Sequence, residues 1–222
     1  QTHDVQTDKS GLHNSWRNYM LTAVGLGPGD AELLTLKAVR LLQEADTVFV
    51  PGGIAFDLVK PYCKNIVTLD FPMTRDEAEI SRCMEANAVK ILPAAKSGNA
   101  VFGLIGDPNY YSTFSRLAEA VRNLSPDIEV ETVPGISSIT AVASHAKIPV
   151  NGAFIVTDGP VEPSTKIVMK VVRPLEKKAA LEEEGYNDFT VVERMYMEGE
   201  TVYQGELPEK THYFSIMIAR KK

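Results

Sequence analysis

The sequence predicts two α/β domains, and three features of its 222 residues support this prediction. Through residues 20–124, apolar stretches of strand length alternate with amphipathic stretches of helix length, which is typical of a mainly parallel sheet. At residues 124–127, Leu-Ser-Pro-Asp interrupts this alternation. Residues 127–222 then carry more strand and hairpin signals, and two domains of about 100 residues each are of ordinary size.

The composition excludes several classes of function. The formal net charge is -6 and no basic block occurs, so neither nucleic acid nor an anionic membrane is expected as a partner. No apolar stretch is long enough to span a bilayer, and the N-terminal residues lack a signal-peptide core. Cys63 and Cys83 are too few and unsuitably spaced for a zinc site or a disulfide framework. We therefore expect a cytoplasmic protein with no bound metal.

The fold is predicted to begin at Met20, because residues 1–19 are polar, lack apolar periodicity and are interpreted as a tag or a mobile extension. In the N-terminal domain, the pattern predicts strands at residues 21–26, 47–50, 67–71 and 99–105. Helices are predicted at residues 31–44, 56–62, 77–96 and 113–123. Asp30 is expected to cap the first helix, and Pro93 to end or kink the third.

The C-terminal domain is predicted to open with a strand at residues 129–133 and a Pro134-Gly135 turn. A helix follows from Ser138 to about Ala146. Further apolar runs, separated by turns, occur at residues 154–156, 167–172, 190–193 and 213–219. These short runs favour strands and hairpins in this domain.

Three glycine-containing turns follow predicted strands, at residues 25–30, 106–107 and 134–138. In an open α/β sheet, ligands bind beyond the carboxyl ends of the strands. In the second turn, Gly106 allows close approach to the backbone, Asp107 supplies a fixed anion for an amine or a hydroxyl, and Pro108 sets the turn. Ser112 and Thr113 can cap the helix that follows. An ordinary strand-to-helix turn accounts for this segment equally well.

The first turn, Gly-Leu-Gly-Pro-Gly-Asp at residues 25–30, has the order of strand, glycines and helix found in dinucleotide-binding loops. The spacing disagrees, because the G-x-G-x-x-G fingerprint requires glycine where Asp30 stands. An aspartate before the helix also repels a pyrophosphate, and no acidic residue ends the second strand for the ribose hydroxyls. A nicotinamide or flavin site is therefore not expected.

No other motif in the sequence supplies catalytic groups. A nucleophile elbow, a phosphate-binding P-loop and an H-E-x-x-H motif are all absent. His145 and His212 have no histidine or cysteine partners at ligand spacing. If the three turns lie on one side of the sheets, they frame a cleft between the domains. Such a cleft suits a neutral or zwitterionic cofactor held mostly by backbone groups.

The three turns also carry a resemblance to a known family. G-L-G-P-G-D at residues 25–30, I-G-D-P-N-Y-Y-S-T at 105–113 and V-P-G-I-S-S at 133–138 are similar, in this order and at these distances, to motifs of the tetrapyrrole methylases. Members of that family bind S-adenosylmethionine (SAM) in a cleft between two α/β domains and methylate carbons of corrin and siroheme precursors. The resemblance covers nearly all of residues 20–222.

Further stretches resemble the C-20 branch of the family, the precorrin-2 or cobalt-factor II methyltransferases. They are F-P-M-T-R-D at residues 71–76, Y-S-T at 111–113, M-K-V-V-R-P-L at 169–175, V-E-R-M-Y-M-E-G-E at 192–200 and Y-F-S-I-M-I-A-R-K at 213–221. The resemblance implies a homodimer that methylates C-20 of precorrin-2 or cobalt-factor II in cobalamin (vitamin B12) synthesis. The alternatives are another member of the family, such as a uroporphyrinogen-III or diphthine-forming enzyme, or a tetrapyrrole-binding protein without catalysis. The sequence does not indicate whether the substrate carries cobalt.

The resemblance also assigns roles to individual residues. SAM is expected to contact Pro28, Ile105, Gly106, Asp107, Tyr110, Ser112, Thr113, Ser137, Ser138, Met169, Met195 and Ser215. The cations expected to hold the polycarboxylate substrate are Arg75, Lys170, Arg173 and Arg194. Core packing is an alternative for Met169, and an ordinary surface charge is an alternative for each of the four cations. No catalytic base is identified.

Overall fold

The structure is a computed structural model that describes residues 19–147, 149–156, 163–195 and 198–222. The chain divides into two compact units, Gln1–Phe154 and Ile155–Lys222. Nearly all of the predicted N-terminal extension lies outside the described residues, as do two residues of the stretch 192–200 used for the resemblance. Within the described residues, no helix is long and apolar enough to cross a bilayer.

The first unit is built on a five-stranded parallel sheet in the order β3-β2-β4-β1-β5. Its strands are β1 (Met20–Gly25), β2 (Thr47–Val50), β3 (Ile66–Thr68), β4 (Ala100–Leu104) and β5 (Glu129–Val133). All four neighbouring pairs run parallel. The carboxyl ends of β4, β1 and β5 therefore lie side by side at one end of the sheet.

Helices cover both faces of this sheet. They are α1 (Leu36–Glu44), α2 (Gly53–Val59), α3 (Glu77–Ser97) and α4 (Phe114–Leu124). A fifth helix, α5 (Ser138–Ala146), follows β5. The core under α3 and α4 contains Phe49 and Phe102, whereas the core under α1 and α2 contains Val48 and Val101. Neighbouring strand residues enter different cores because strand side chains alternate between the two faces. This arrangement explains the nearly continuous apolar strands of the sequence.

The described residues of the second unit form a four-stranded antiparallel sheet in the order β6-β9-β7-β8, with one helix. The elements are β6 (Thr165–Met169), α6 (Pro174–Glu183), β7 (Asp188–Glu193), β8 (Thr201–Gln204) and β9 (Ser215–Arg220). Its core consists of Val171, Leu181, Tyr186, Phe189, Val191, Met217 and Ala219. The predicted fold class of two α/β domains is confirmed, and the second domain carries the expected hairpin character.

The division between the units differs from the predicted domain boundary. We expected residues 20–124 and 127–222 to form the two domains, but β5 pairs with β1 in the first sheet, with Met20 opposite Glu129. The Leu-Ser-Pro-Asp segment is therefore the connection between α4 and β5. A polar turn within a domain has the same kind of sequence as a linker between domains. Only strand pairing decides which sheet the next strand joins.

Several element boundaries also differ from prediction. Asp30 accepts a hydrogen bond from the N–H of Glu32 and caps a short 3-10 turn at Ala31–Leu33, whereas Thr35 caps α1. Pro93 does not end α3, which continues to Ser97. Ile91 and Ala95 flank Pro93 and are buried in the core, so packing offsets the hydrogen bond that proline removes.

Two elements were missed and one prediction failed. The sequence pattern predicted neither α6 nor β8, and the apolar run at residues 154–156 favoured a strand. Of α6, only Pro174 and Leu181 are buried, so the helix has almost no apolar stripe to detect. The apolar residues 154–156 lie outside any strand of the structure and are exposed.

Candidate cofactor site

The three glycine-containing turns meet at the carboxyl ends of β1, β4 and β5 in the first unit. The turns after β1 and β4 are joined by an antiparallel bridge between Gly27 and Gly106. The N–H of Gly106 donates to the carbonyl of Gly27 at 2.7 Å, and the N–H of Gly27 donates to the carbonyl of Gly106 at 3.3 Å. The position predicted for ligand binding in an open α/β sheet is therefore occupied by two loops that are fixed to each other.

The third turn packs against both of the others through glycine. A Cβ atom on Gly135 would lie 2.3 Å from the carbonyl oxygen of Gly106 and 2.6 Å from the carbonyl carbon of Gly25. A Cβ atom on Gly25 would lie 2.6 Å from the same oxygen of Gly106. Glycine is required at positions 25 and 135 for space, because any side chain there would push the three loops apart.

Asp107 links the second and third turns through its carboxylate. Its side chain is buried, with 7% of the residue exposed. Oδ1 accepts a hydrogen bond from the N–H of Asn109 at 2.8 Å, and Oδ2 accepts one from the N–H of Gly135 at 3.2 Å. Asn109 in turn donates through Nδ2 to the hydroxyl of Thr132 at 3.2 Å. The two residues that complete this network, Asn109 and Thr132, were missed, since no spacing rule connects positions so far apart in sequence.

The other predicted residues of the second turn differ in exposure and in bonding. Ile105 and Tyr110 are exposed, with apolar surface open to a ligand. Ser112 accepts a hydrogen bond from the N–H of Phe114 at 3.0 Å, which confirms its capping role. Thr113 occupies the N-cap position of α4 without a side-chain bond to the helix, so its predicted capping bond is not formed.

The turns after β1 and β5 present further predicted residues. Pro28 is half-buried in the first turn. Ser137 is the N-cap of α5, and its hydroxyl accepts a hydrogen bond from the N–H of Ile139 at 3.3 Å. Ser138 is exposed at the first position of α5. The amino terminus of this helix therefore begins directly beyond the glycine contact of the three loops.

Arg75 lies in the loop between β3 and α3, which is anchored on both sides of this residue. Phe71, early in this loop, packs on Phe102 of β4 with ring centroids 5.8 Å apart. Asp76, at its end, caps α3 by accepting from the N–H groups of Ala78 and Glu79. Arg75 is exposed between these two anchors, and no described residue forms an ion pair with it. Its guanidinium is therefore available to an anion.

In the second unit, the predicted cofactor residues gather at one end of the sheet. Met169 ends β6 opposite Ile216, Ser215 begins β9, and the N–H of Arg194 donates to the carbonyl of Phe214 at 2.7 Å just before Met195. Met169 is 69% exposed, so it is not part of the core, contrary to the alternative considered above. Ser215 is buried, and its hydroxyl donates to the carbonyl of His212 at 2.6 Å.

The three remaining cations lie near this same end of the second unit, and each already has a neighbour. Lys170 lies over the ring of Tyr213 at 5.3 Å, and a hydrogen bond with Tyr213 raises the pKa of its ammonium. Arg173 pairs with Glu176 at 3.1 Å. The guanidinium of Arg194 donates to a backbone carbonyl at 3.5 Å. Lys170 and Arg173 also line an open cavity of about 300 Å³ between β6 and α6.

Comparisons with known proteins agree with the motifs. The family profile described as tetrapyrrole (corrin/porphyrin) methylases matches residues 20–211. A probable cobalt-precorrin-2 C(20)-methyltransferase of Methanocaldococcus jannaschii is 36% identical over 204 residues, which cover 84% of this chain and 87% of the relative. The precorrin-2 C(20)-methyltransferase of a Sinorhizobium species is 29% identical, and the match covers 89% of this chain and 94% of the relative.

A relative from another branch matches a smaller part of the chain. The uroporphyrinogen-III C-methyltransferase of Cyanidium caldarium is 40% identical over 129 residues, which cover 57% of this chain and 49% of the relative. All three relatives are methyltransferases by name, and the family profile spans both compact units. This chain therefore belongs to the tetrapyrrole methylase family.

Proposed function

We propose that this chain transfers the methyl group of SAM to C-20 of precorrin-2 or its cobalt-bearing counterpart in cobalamin synthesis. The observation that carries the proposal is the full-length similarity to C(20)-methyltransferases from two sources, over 84% and 89% of the chain. The match to the uroporphyrinogen-III enzyme covers 57% of the chain. The stretches Y-S-T at residues 111–113 and M-E-G-E at residues 197–200 favour the C-20 branch as well.

The geometry of the first unit supports a SAM site at the three turns. A Cβ atom on Gly106 would meet no other atom within 4 Å, so this glycine leaves room beside the backbone, and the exposed Ile105 and Tyr110 offer apolar surface for an adenosine group. The amino terminus of α5 at Ser137 and Ser138 attracts a carboxylate, since the first N–H groups of a helix lack helical partners. We assign the remaining contacts to Pro28, Gly106, Ser112 and Thr113. We give Asp107 a supporting role beside them, because both of its oxygens already accept backbone N–H groups.

The residues of the second unit are not equally well supported as cofactor and substrate contacts. Met169 and Met195 are exposed and can pack on an adenine ring. Ser215 is the weaker assignment, because its hydroxyl already donates to a carbonyl. For the polycarboxylate substrate we propose Arg75, Lys170, Arg173 and Arg194, with Arg75 preferred because no described residue pairs with it.

The chemistry asks little of protein side chains. SAM supplies a methyl group on a positively charged sulfur that is already activated for transfer to an electron-rich carbon. The chain has to bind both molecules, orient them and exclude water, and correct positioning alone can contribute roughly 7–11 kcal/mol to lowering a barrier. No carboxylate against the sulfur is needed. The oxygens of Asp107 accordingly accept backbone hydrogen bonds.

Two measurements test the proposed function. Calorimetric titration with S-adenosylhomocysteine should give a single binding event per chain, and absence of binding would remove the methyltransferase proposal in favour of a non-catalytic tetrapyrrole-binding protein. Incubation with carbon-13-methyl SAM and, separately, precorrin-2, cobalt-factor II and uroporphyrinogen III should label C-20 of one of the first two. Labelling of uroporphyrinogen III would instead place the chain in the other branch.

The assembly is proposed on sequence resemblance alone. We propose a homodimer, and sedimentation equilibrium at micromolar concentration should give twice the chain mass of 24.4 kDa. A mass of one chain over the whole concentration range would contradict this. The cytoplasmic location stays a prediction from the sequence.

A further inference from the structure

We infer that Asp107 is a positioning residue whose carboxylate clamps the turn after β5 to the turn after β4, and so presets the start of α5 for a ligand. The inference rests on the proposed function in assigning the ligand to these turns. The clamp itself is a property of the unliganded chain. It assigns Asp107 a different task from the direct contact with the cofactor that the family resemblance implies.

The bonding of Asp107 is the first argument. Each oxygen of the buried carboxylate accepts one backbone N–H, from Asn109 in its own turn and from Gly135 in the neighbouring turn. Hydrogen bonds to an ionised acceptor are stronger than those between neutral groups, and burial protects them from competition by water. The carboxylate is therefore oriented by the protein before any ligand arrives.

The distribution of bonds among the three turns is the second argument. The turns after β1 and β4 are joined by two backbone hydrogen bonds between Gly27 and Gly106. Within the described residues, no backbone hydrogen bond joins the turn after β5 to either of them. The side chain of Asp107 makes that connection by accepting from the N–H of Gly135, and Asn109 donates nearby to the hydroxyl of Thr132, near the end of β5. Asp107 supports both bonds, because its other oxygen fixes the backbone of Asn109.

The close approach of the glycines is the third argument. Gly135 lies so near Gly25 and Gly106 that a Cβ atom would overlap both. Such contact leaves no room for water to satisfy the N–H of Gly135 from that side, so the bond to Oδ2 replaces hydration. Ser137, the cap of α5, follows two residues later. A displacement of Gly135 would therefore move the helix start that we propose for the carboxylate of SAM.

Hydrogen–deuterium exchange of the ligand-free chain tests the clamp without any cofactor. In Asp107→Ala, exchange in a peptide covering residues 134–138 should accelerate roughly 10-fold or more, because one partly buried hydrogen bond is lost. Asp107→Asn retains one acceptor oxygen and should give an intermediate acceleration. The matched control is Glu131→Gln, which changes an exposed carboxylate on β5. In this variant, residues 134–138 should exchange at the wild-type rate.

Titration with S-adenosylhomocysteine then separates the clamp from a direct contact. If Asp107 acts as a clamp, the affinity for S-adenosylhomocysteine should fall in the order wild type, Asp107→Asn, Asp107→Ala. The fall should parallel the increase in the exchange rates of residues 134–138. Wild-type exchange at residues 134–138 in folded Asp107→Ala or Asp107→Asn would overturn the inference. Failure of the wild type to bind S-adenosylhomocysteine would refute the proposed function, while the exchange result would still decide the clamp. If Asp107→Ala does not fold, the comparison of Asp107→Asn with Glu131→Gln decides it.

Discussion

The backbones of Gly25 and Gly135 are in direct contact at the centre of the candidate site. A Cβ atom on Gly25 would lie 2.5 Å from the nitrogen of Gly135, and a Cβ atom on Gly135 would lie 2.8 Å from the Cα atom of Gly25. The two residues are far apart in sequence and meet because β1 and β5 are parallel neighbours. Each of their turns must therefore lack a side chain for the other to reach its position.

Gly135→Ala should separate these turns. The added methyl group overlaps backbone atoms that cannot rotate away, and overpacking of this kind lowers the free energy of unfolding by about 1–3 kcal/mol. Affinity for S-adenosylhomocysteine should fall sharply, because the start of α5 moves with Gly135. Urea denaturation and calorimetry measure the two effects.

The control for this substitution is another glycine of the same unit. A Cβ atom on Gly152 would meet no other atom within 4 Å, so Gly152→Ala should leave stability and affinity close to wild type. Equal behaviour of the two variants would mean that the three turns do not depend on their mutual contact.

Arg75→Ala should weaken binding of the tetrapyrrole substrate without changing binding of the cofactor. A charge-assisted hydrogen bond to a carboxylate contributes about 1.5–3 kcal/mol, so KM for the macrocycle should rise roughly 10- to 100-fold. The affinity for S-adenosylhomocysteine should not change. Arg82→Ala removes an exposed arginine of α3 and should leave both values unchanged. An unaltered KM in Arg75→Ala would mean that Arg75 is an ordinary surface charge that does not bind the substrate.

Met169→Ala should weaken cofactor binding while stability is retained. Because Met169 is 69% exposed, its removal should change the free energy of unfolding by less than about 0.5 kcal/mol. If its side chain packs on adenine, affinity for S-adenosylhomocysteine should fall about 10-fold, as expected for losing one buried apolar side chain. Val202→Ala, an exposed apolar residue of β8, is the control. Equal affinities in all three proteins would exclude Met169 from the cofactor site.

The stability of the second unit should depend on pH through Asp188. Its carboxylate lies 3.2 Å from the ammonium of Lys222 and 2.5 Å from the guanidinium of Arg220, and these cations lower its pKa. A carboxyl pKa lowered on folding stabilises the native state above the unfolded pKa, which is about 3.9 for aspartate. This stabilisation is lost as the pH falls from about 3.9 through the native pKa.

Asp188→Asn should therefore be less stable than wild type at neutral pH, and the difference should shrink on acidification below about pH 4. Urea denaturation over a pH series measures it. In a background that carries Arg220→Ala and Lys222→Ala, the same substitution should have a smaller and less pH-dependent effect. A difference between wild type and Asp188→Asn that stays constant from neutral pH to pH 3 would contradict the ion-pair explanation.

Much of the first unit could be predicted because its signals are local. Strand β5 and helix α5 begin and end at the predicted residues, Glu129–Val133 and Ser138–Ala146. Their apolar patterns, together with the cap at Ser137, lie within a few consecutive residues. Helix α6 was missed for the opposite reason. Its position depends on two buried residues and on contacts with the sheet.

The candidate site shows the same distinction. The sequence alone identified three turns, their glycines and Asp107, because each turn has a recognisable local composition. Exposure of Met169 and burial of Ser215 could not be predicted, since both residues lie in alternating apolar stretches with similar patterns. The domain boundary was misplaced because a polar turn does not specify the sheet to which the following strand belongs.

The sequence by itself determined the fold class and the residues of the three turns, since these follow from composition and spacing along the chain. It also indicated the family, through the resemblance of its motifs to those of the tetrapyrrole methylases. Only the tertiary structure decided that Gly25, Gly106 and Gly135 touch and that both oxygens of Asp107 accept hydrogen bonds from backbone N–H groups. The physical reason is that parallel pairing of β4, β1 and β5 brings distant turns to one end of the sheet. Contacts made by that pairing depend on register and packing, which no single segment of the chain encodes.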